Sequence, residues 1–249
     1  MNAILENIIH TGVVRSHLDR PLEVHSGIQV EEGQLLQEII SDIKPKVSLE
    51  VGLAYGISSL FICEALDKTA RHILIDPDQF GDTWQGIGLL NLEKAGYKEQ
   101  IEFYAEPSHV VLPRLRARGL EIDFAFIDGF HTFDHVMVDF FYIDTLLKEN
   151  AIVVFDDVSY PSIHKVIRFI LTNRSYRVYR YLEYSGRPNE LSLRHRAALH
   201  VGRLKPAKLL MKPELSIPDS ALGFSAFTTC VALRKVAEDT RSFSFHREF

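Results

Sequence analysis

Residues 123–128 and 151–157 read DFAFID and AIVVFDD, two apolar runs that each end in acid. If both are neighbouring strands of one sheet, Asp128, Asp156 and Asp157 meet above its carboxyl edge. Crowded, partly buried carboxylates repel one another, and a hard divalent cation with oxygen ligands is the usual neutraliser. The pattern therefore predicts an Mg²⁺-type site on Asp128, Asp156 and Asp157. The competing role is helix capping by one of the adjacent pair, at a helix starting near Ser159. His131 lies three residues past Asp128, where its imidazole either overhangs the acids or is merely solvated. His135 and His164 lie one helical turn further along their respective segments and have weaker claims.

A second constellation sits nearer the N-terminus, in VSLEVGLAYG, residues 47–56. An apolar run that stops on Glu50 and enters a loop with Gly52 and Gly56 lets a ligand approach the backbone, with the next helix N-terminus facing it. The spacing is not the GxGxxG of dinucleotide binders, since the two glycines are four apart with Ala54 between them. Glu50 would repel a pyrophosphate and attract an amino group, which favours a nucleoside carrying an amino acid. Asp76 ends the next apolar run, HILID, about 20 residues on, where a carboxylate accepts both hydroxyls of a ribose. Taken singly, Glu50 and Asp76 read equally well as strand-end acids facing water.

The elements that must position these residues alternate along the chain. VSLEV, HILID, IEFY, DFAFID and AIVVFDD have strand composition, and the segments between them return apolar residues every three or four positions, as at Phe133, Val136, Met137 and Phe140. Five βα units from about residue 46 to about residue 174 predict a mostly parallel sheet with helices on both faces. Ahead of them, EEGQLLQEIISDIKPK is a helix stopped by Pro45, and residues 1–30 form a separate N-terminal arm. Behind them, YRVYRYLEY and FTTCVALRKV are two more strands, separated by a basic, Pro-punctuated insertion at about 186–218. The domain proper is thus 31–249.

With LEVGLAYGISSL, ILIDPD, AEPSHVVLPRL, DFAFIDGFH and LLKENAIVVFDDV in this order and spacing, the chain resembles the class I S-adenosylmethionine (SAM) dependent methyltransferases. More narrowly, it is similar to the metal-dependent small-molecule O-methyltransferases of the catechol O-methyltransferase and antibiotic-sugar methyltransferase type. The resemblance covers about residues 30–174. It implies a Rossmann-like, doubly wound, seven-stranded sheet whose last strand is antiparallel. It also implies that Glu50, Gly52, Ala54, Tyr55, Gly56 and Ser58 hold the methionine part of SAM, Asp76 the ribose, and Ser108 the adenine border, with Asp128 shared between cofactor and metal. Ser108 is equally well explained as a helix N-cap. Two positions depart from the pattern: Ala54 where many members have Gly, and Glu106 where small residues are usual.

The chemistry implied is O-methylation of a small hydroxylated molecule. A hydroxyl is protonated at neutral pH, and a cation that chelates it lowers its pKa and fixes its geometry. His131 stands where catechol-type enzymes have Lys, and as the base it would act close to its ordinary pKa. Two alternatives stay open: a metal-free methyltransferase, and a non-catalytic SAM-binding regulatory module, which has no need of a metal site and a base together. Trp84 either shields the cofactor or anchors a helix.

Composition sets the remaining bounds. The chain has 249 residues, 46% of them hydrophobic, and a formal net charge of −5, so no global field favours nucleic acid. No apolar run reaches membrane-spanning length, and no cleavable leader is read at the N-terminus. Cys63 and Cys230 sit in apolar runs without CxxC spacing, as small core residues of a reducing, cytoplasmic compartment. The tail RSFSFHREF is compatible with packing in a homo-oligomer.

Overall fold

The structure, a computed structural model, describes residues 1–184 and 217–249. Most of the basic insertion lies outside the described residues. Seven strands form one sheet: β3 (Val47–Val51), β4 (Arg71–Ile75), β5 (Ile101–Tyr104), β6 (Ile122–Ile127), β7 (Leu147–Phe155), β8 (Tyr176–Glu183) and β9 (Thr228–Lys235). Their spatial order is β5-β4-β3-β6-β7-β9-β8. The pairs among β3 to β7 are parallel, and β9 runs antiparallel to both β7 and β8. This is a Rossmann-like α/β fold with an antiparallel final strand, as the resemblance implies.

Strands covered on both faces read as nearly continuous apolar runs, and the period of two sorts their side chains. Leu49, Val51, Ile73, Ile75, Ala125, Ile127, Val153 and Phe155 pack against α5 (Ser108–Ala117), α6 (Phe133–Leu146) and α7 (Pro161–Asn173). Phe124, Phe126, Ile152 and Val154 face the other way, onto α2 (Val30–Ile43) and α3 (Ile57–Ala65). α2 buries Leu36, Ile39 and Ile40, one stripe at helical spacing, and each such side chain contributes roughly 1.5–3 kcal/mol. A capping box starts it, with the Gln29 N–H donating to Glu32 at 3.0 Å, and Lys44 at φ 47° ends it just before Pro45.

The N-terminal segment folds as α1 (Ala3–Thr11) and a hairpin of β1 (Val13–Arg15) with β2 (Pro21–Glu23). Leu5, Ile8 and Val14 are buried with Leu60, Phe61 and Leu74, so this segment shares the core beside α3. Among the described residues no helix is long and apolar enough to cross a membrane. Cys63 and Cys230 are free and buried, and burial raises both thiol pKa values.

Candidate active site

The carboxyl ends of β3, β4 and β6 open into a cleft of about 680 Å³. Its floor is the β3–α3 loop. Gly52 has φ 96°, and a Cβ there would stand 2.0 Å from the carbonyl oxygen of Asp128, so only glycine lets the two strand ends come together. Ala54 also adopts a left-handed conformation, φ 48°, and Gly56 at φ 75° starts α3. Asp76 fixes that loop: one carboxylate oxygen accepts the N–H groups of Leu53 and Ala54 at 3.1 and 3.0 Å, and the other accepts that of Asp78 at 2.9 Å. Gly52, Ala54, Tyr55, Ser58, Asp76, Ser108 and Asp128 all line the cleft; Gly56 does not.

The rim is aromatic. Trp84 stacks on His25 at 5.5 Å, and His25 Nδ1 lies 2.8 Å from the Tyr55 hydroxyl. At the opposite end Ser108 is the first residue of α5 and Pro107 is the N-cap, so the cap reading of Ser108 fails by one position. Its hydroxyl bonds instead to Asp139 on α6, a buried acid whose pKa is pushed up to about 6 by desolvation. Nothing in the sequence separates Asp139 from an ordinary surface acid of an amphipathic helix.

Beyond the cleft floor, His131 lies between two carboxylates. Nε2 is 3.2 Å from Asp128 Oδ1 and Nδ1 is 3.3 Å from Asp157 Oδ2. The bond to Asp128 raises the His131 pKa above its ordinary 6.5, and burial raises Asp128 to about 6. Tyr160 stacks on the imidazole at 5.7 Å, and the Ser162 hydroxyl donates to the His131 carbonyl at 2.8 Å. Among the described residues, Asp128, His131 and Asp157 offer ligand atoms that all lie within 4.8 Å of one another. Asp156 stands outside that group. Its carboxyl bonds to Glu32 on α2 and accepts the Asp157 N–H at 2.7 Å, while desolvation and the neighbouring acids raise its pKa and that of Glu32. Asp157 has φ 52°, unusual for a residue with a Cβ, and this reversal separates the two acids.

A family model described as a methyltransferase domain matches residues 49–158, the stretch that builds this cleft. That match spans less than half of the chain, and over it the chain is similar to methyltransferase domains. Catechol O-methyltransferase B of Danio rerio is 26% identical over 165 residues, covering 65% of this chain and 61% of that protein. Caffeoyl-CoA O-methyltransferase 2 of Petunia hybrida is 34% identical over 102 residues, covering 40% and 41%. The chain thus spans less than two thirds of the length of the curated relatives it matches. Among solved structures, an O-methyltransferase of Streptomyces achromogenes involved in tomaymycin synthesis, in complex with SAM, aligns with a TM-score of 0.63 at 15% identity, covering 96% of this chain and 91% of that one. A Bacillus cereus O-methyltransferase in complex with SAH aligns at 0.61 and 16%, covering 75% and 86%. At these identities the structural likeness speaks for the fold.

Within this fold Glu50 lies beneath the cleft and outside its lining. It is fully buried, and its carboxylate accepts from the hydroxyls of Ser58 and Ser59 and from His72. Of the remaining histidines, His135 lines the cleft with Nδ1 2.7 Å from the Thr132 hydroxyl. His164 is turned toward α8 (Asp219–Leu222), 3.1 Å from Asp219. Trp84 lines the cleft and also packs against the core cluster that holds Leu53 and Ile87, so its position suits both roles.

Proposed function

We propose that the chain transfers the methyl group of SAM to an oxygen of a small hydroxylated acceptor, as an O-methyltransferase. The observation that carries this reading is the junction held by Gly52, where a cleft of nucleoside size meets the Asp128, His131 and Asp157 cluster across one backbone contact. Asp76 would meet the ribose and Ser58 would border the amino-acid part, while Tyr55 and Trp84 exclude water at one rim and Ser108 with Asp139 borders the far end. SAM, when bound, supplies an electrophilic methyl group on sulfur. His131, in its neutral form, would take the proton of the acceptor oxygen, which would receive the methyl group that the sulfur gives up.

Two carboxylates and an imidazole suit a divalent cation. Asp128 and Asp157 would hold it, with His131 either as a third ligand or as the base beside it, and the ion would acidify and orient the acceptor hydroxyl. Asp156 would support Asp157 from behind through its backbone N–H. A metal-free reading is favoured by one observation: both ring nitrogens of His131 already face carboxylates, so the imidazole occupies the position between the acids that a cation would take.

The test is titration calorimetry with SAH, with and without Mg²⁺, followed by assay of catechols, phenols and hydroxylated sugars with SAM. SAH binding with EDTA-sensitive, Mg²⁺-restored turnover is expected. Full turnover in excess EDTA establishes the metal-free reading, and no SAH binding removes the proposal. A cytoplasmic protein, with its two thiols reduced, completes the reading.

A further inference from the structure

The sheet face toward α2 and α3 is apolar at Leu74, Phe124, Phe126, Ile152 and Val154, yet one patch of it is polar and sealed. Ser48, Glu50 and His72 occupy that face side by side on β3 and β4, with Ser48 and His72 directly paired in register. All three are 0% exposed. Polar groups pay a desolvation cost at such a position unless each is bonded, and here each is. His72 Nδ1 lies 2.8 Å from the Ser48 hydroxyl and Nε2 lies 2.9 Å from Glu50 Oε2. Ser59 donates to the same Glu50 oxygen at 2.6 Å, and Ser58 donates to Oε1. The chain of contacts thus runs from the buried imidazole through one carboxylate to Ser58, which lines the cleft.

We infer that His72 is a positioning residue for the cofactor: clamped between Ser48 and Glu50, it fixes the carboxylate that sets the Ser58 hydroxyl on the cleft wall. The inference rests on reading that cleft as the SAM site. An ionised carboxylate only accepts hydrogen bonds, so the nitrogen facing it must be the donor, which also selects the tautomer. Without that donor, Oε2 keeps only Ser59, and the carboxylate loses the bond that sets its plane. Ser58 then loses its fixed partner. His72 touches neither ligand nor acceptor, so its effect belongs to binding rather than to the chemical step.

The test compares His72→Phe, His72→Gln, Ser58→Ala and the double variant of His72→Phe with Ser58→Ala, each by thermal unfolding, SAH calorimetry and SAM kinetics. His72→Phe is expected to weaken SAH binding about tenfold, the loss of one charge-assisted hydrogen bond, and to raise KM for SAM with kcat nearly unchanged. His72→Gln should recover most of that loss, because its amide N–H can again donate to Glu50. In the Ser58→Ala background, His72→Phe should cost no further affinity, since both act through one contact. A folded His72→Phe variant that binds SAH like the parent overturns the proposal, as do losses that multiply in the double variant. If His72→Phe does not fold, Ser48→Ala frees the imidazole at its other nitrogen; parental SAH affinity in that folded variant overturns the proposal equally. A parent chain that binds no SAH refutes the proposed function instead, so the two failures are distinct.

Discussion

Replacing Gly52 by Ala tests how tightly the cleft-floor loop and the acidic cluster are joined. Two costs arise. At φ 96° an L residue is strained by roughly 1–3 kcal/mol. The new Cβ would also lie 2.0 Å from the Asp128 carbonyl oxygen and 2.7 Å from its carbonyl carbon, both backbone atoms that cannot rotate away. Relief needs more than ~1 Å of separation to reach ordinary contact, which overpacking data place at roughly 1–3 kcal/mol. The total is about 2–6 kcal/mol, and the movement opens the junction between loop and Asp128. Gly119→Ala is the control, because φ there is 70° and a Cβ meets nothing within 4 Å, so only the dihedral cost of roughly 1–2 kcal/mol applies. Urea unfolding should rank Gly52→Ala clearly below Gly119→Ala. Calorimetry should show SAH binding lost in the first variant and kept in the second. Equal destabilisation of the two, with SAH binding intact in Gly52→Ala, would refute the reasoning.

Other outcomes follow from the same geometry. His131→Ala should lower the methyl-transfer rate by ~10²–10⁴-fold while SAH affinity stays near that of the parent, and an undiminished rate across the pH range would remove His131 as base. In metal-free protein, NMR should find His131 titrating above 6.5, since Asp128 and Asp157 favour the imidazolium; Asp157→Asn should move that titration to lower pH, as the sign of the removed charge requires. Asp139 is raised from 3.8 to about 6 by burial, so its favourable share of stability is complete below pH 3.8 and lost as pH rises through 6. Asp139→Asn should therefore raise the melting temperature at pH 8 and do little at pH 3.5, by at most on the order of 3 kcal/mol. A destabilised Asp139→Asn at pH 8 contradicts that account.

The sheet was legible because its strands are apolar runs bounded by Gly, Pro and acid, and five of them alternate with helix-period segments. β3 and β5 coincide with VSLEV and IEFY residue for residue. Gly52 and the acids at the ends of β4 and β6 were legible as residues that line a cleft, since close backbone approach demands glycine and the strand ends open into it. What escaped the sequence came from tertiary packing. His25 meets Tyr55 and Trp84 only because the hairpin folds back beside α3, and the Ser108–Asp139 bond exists only because α5 and α6 lie side by side. No spacing along the chain encodes either meeting.

Glu50 and Asp156 form a different case, because their placement was available from the period of two. β3 pairs in register with β6, Glu50 opposite Phe126 and Val51 opposite Ile127, so Glu50 shares the face of Phe124 and Phe126 that packs on α2 and α3. Continuing the same alternation along β7 past Val154 puts Asp156 on that face too, where Glu32 of α2 meets it. Parity alone does not decide the outcome, because Asp76 and Asp128 continue the same alternation past Leu74 and Phe126 and yet line the cleft. Glu50, inside β3, and Asp156, met by Glu32, are drawn inward and brace the site, Glu50 through Ser58 and Asp156 through the Asp157 N–H. Asp157 leaves that face where the backbone breaks step at φ 52° and turns it to His131. The acids that line the cleft and those that hold its walls thus stand at the same few strand ends. A Glu50→Gln variant should accordingly weaken SAH binding through Ser58 while leaving the His131 titration in place, and a shifted His131 titration with unchanged SAH affinity would show that Glu50 does not act through Ser58.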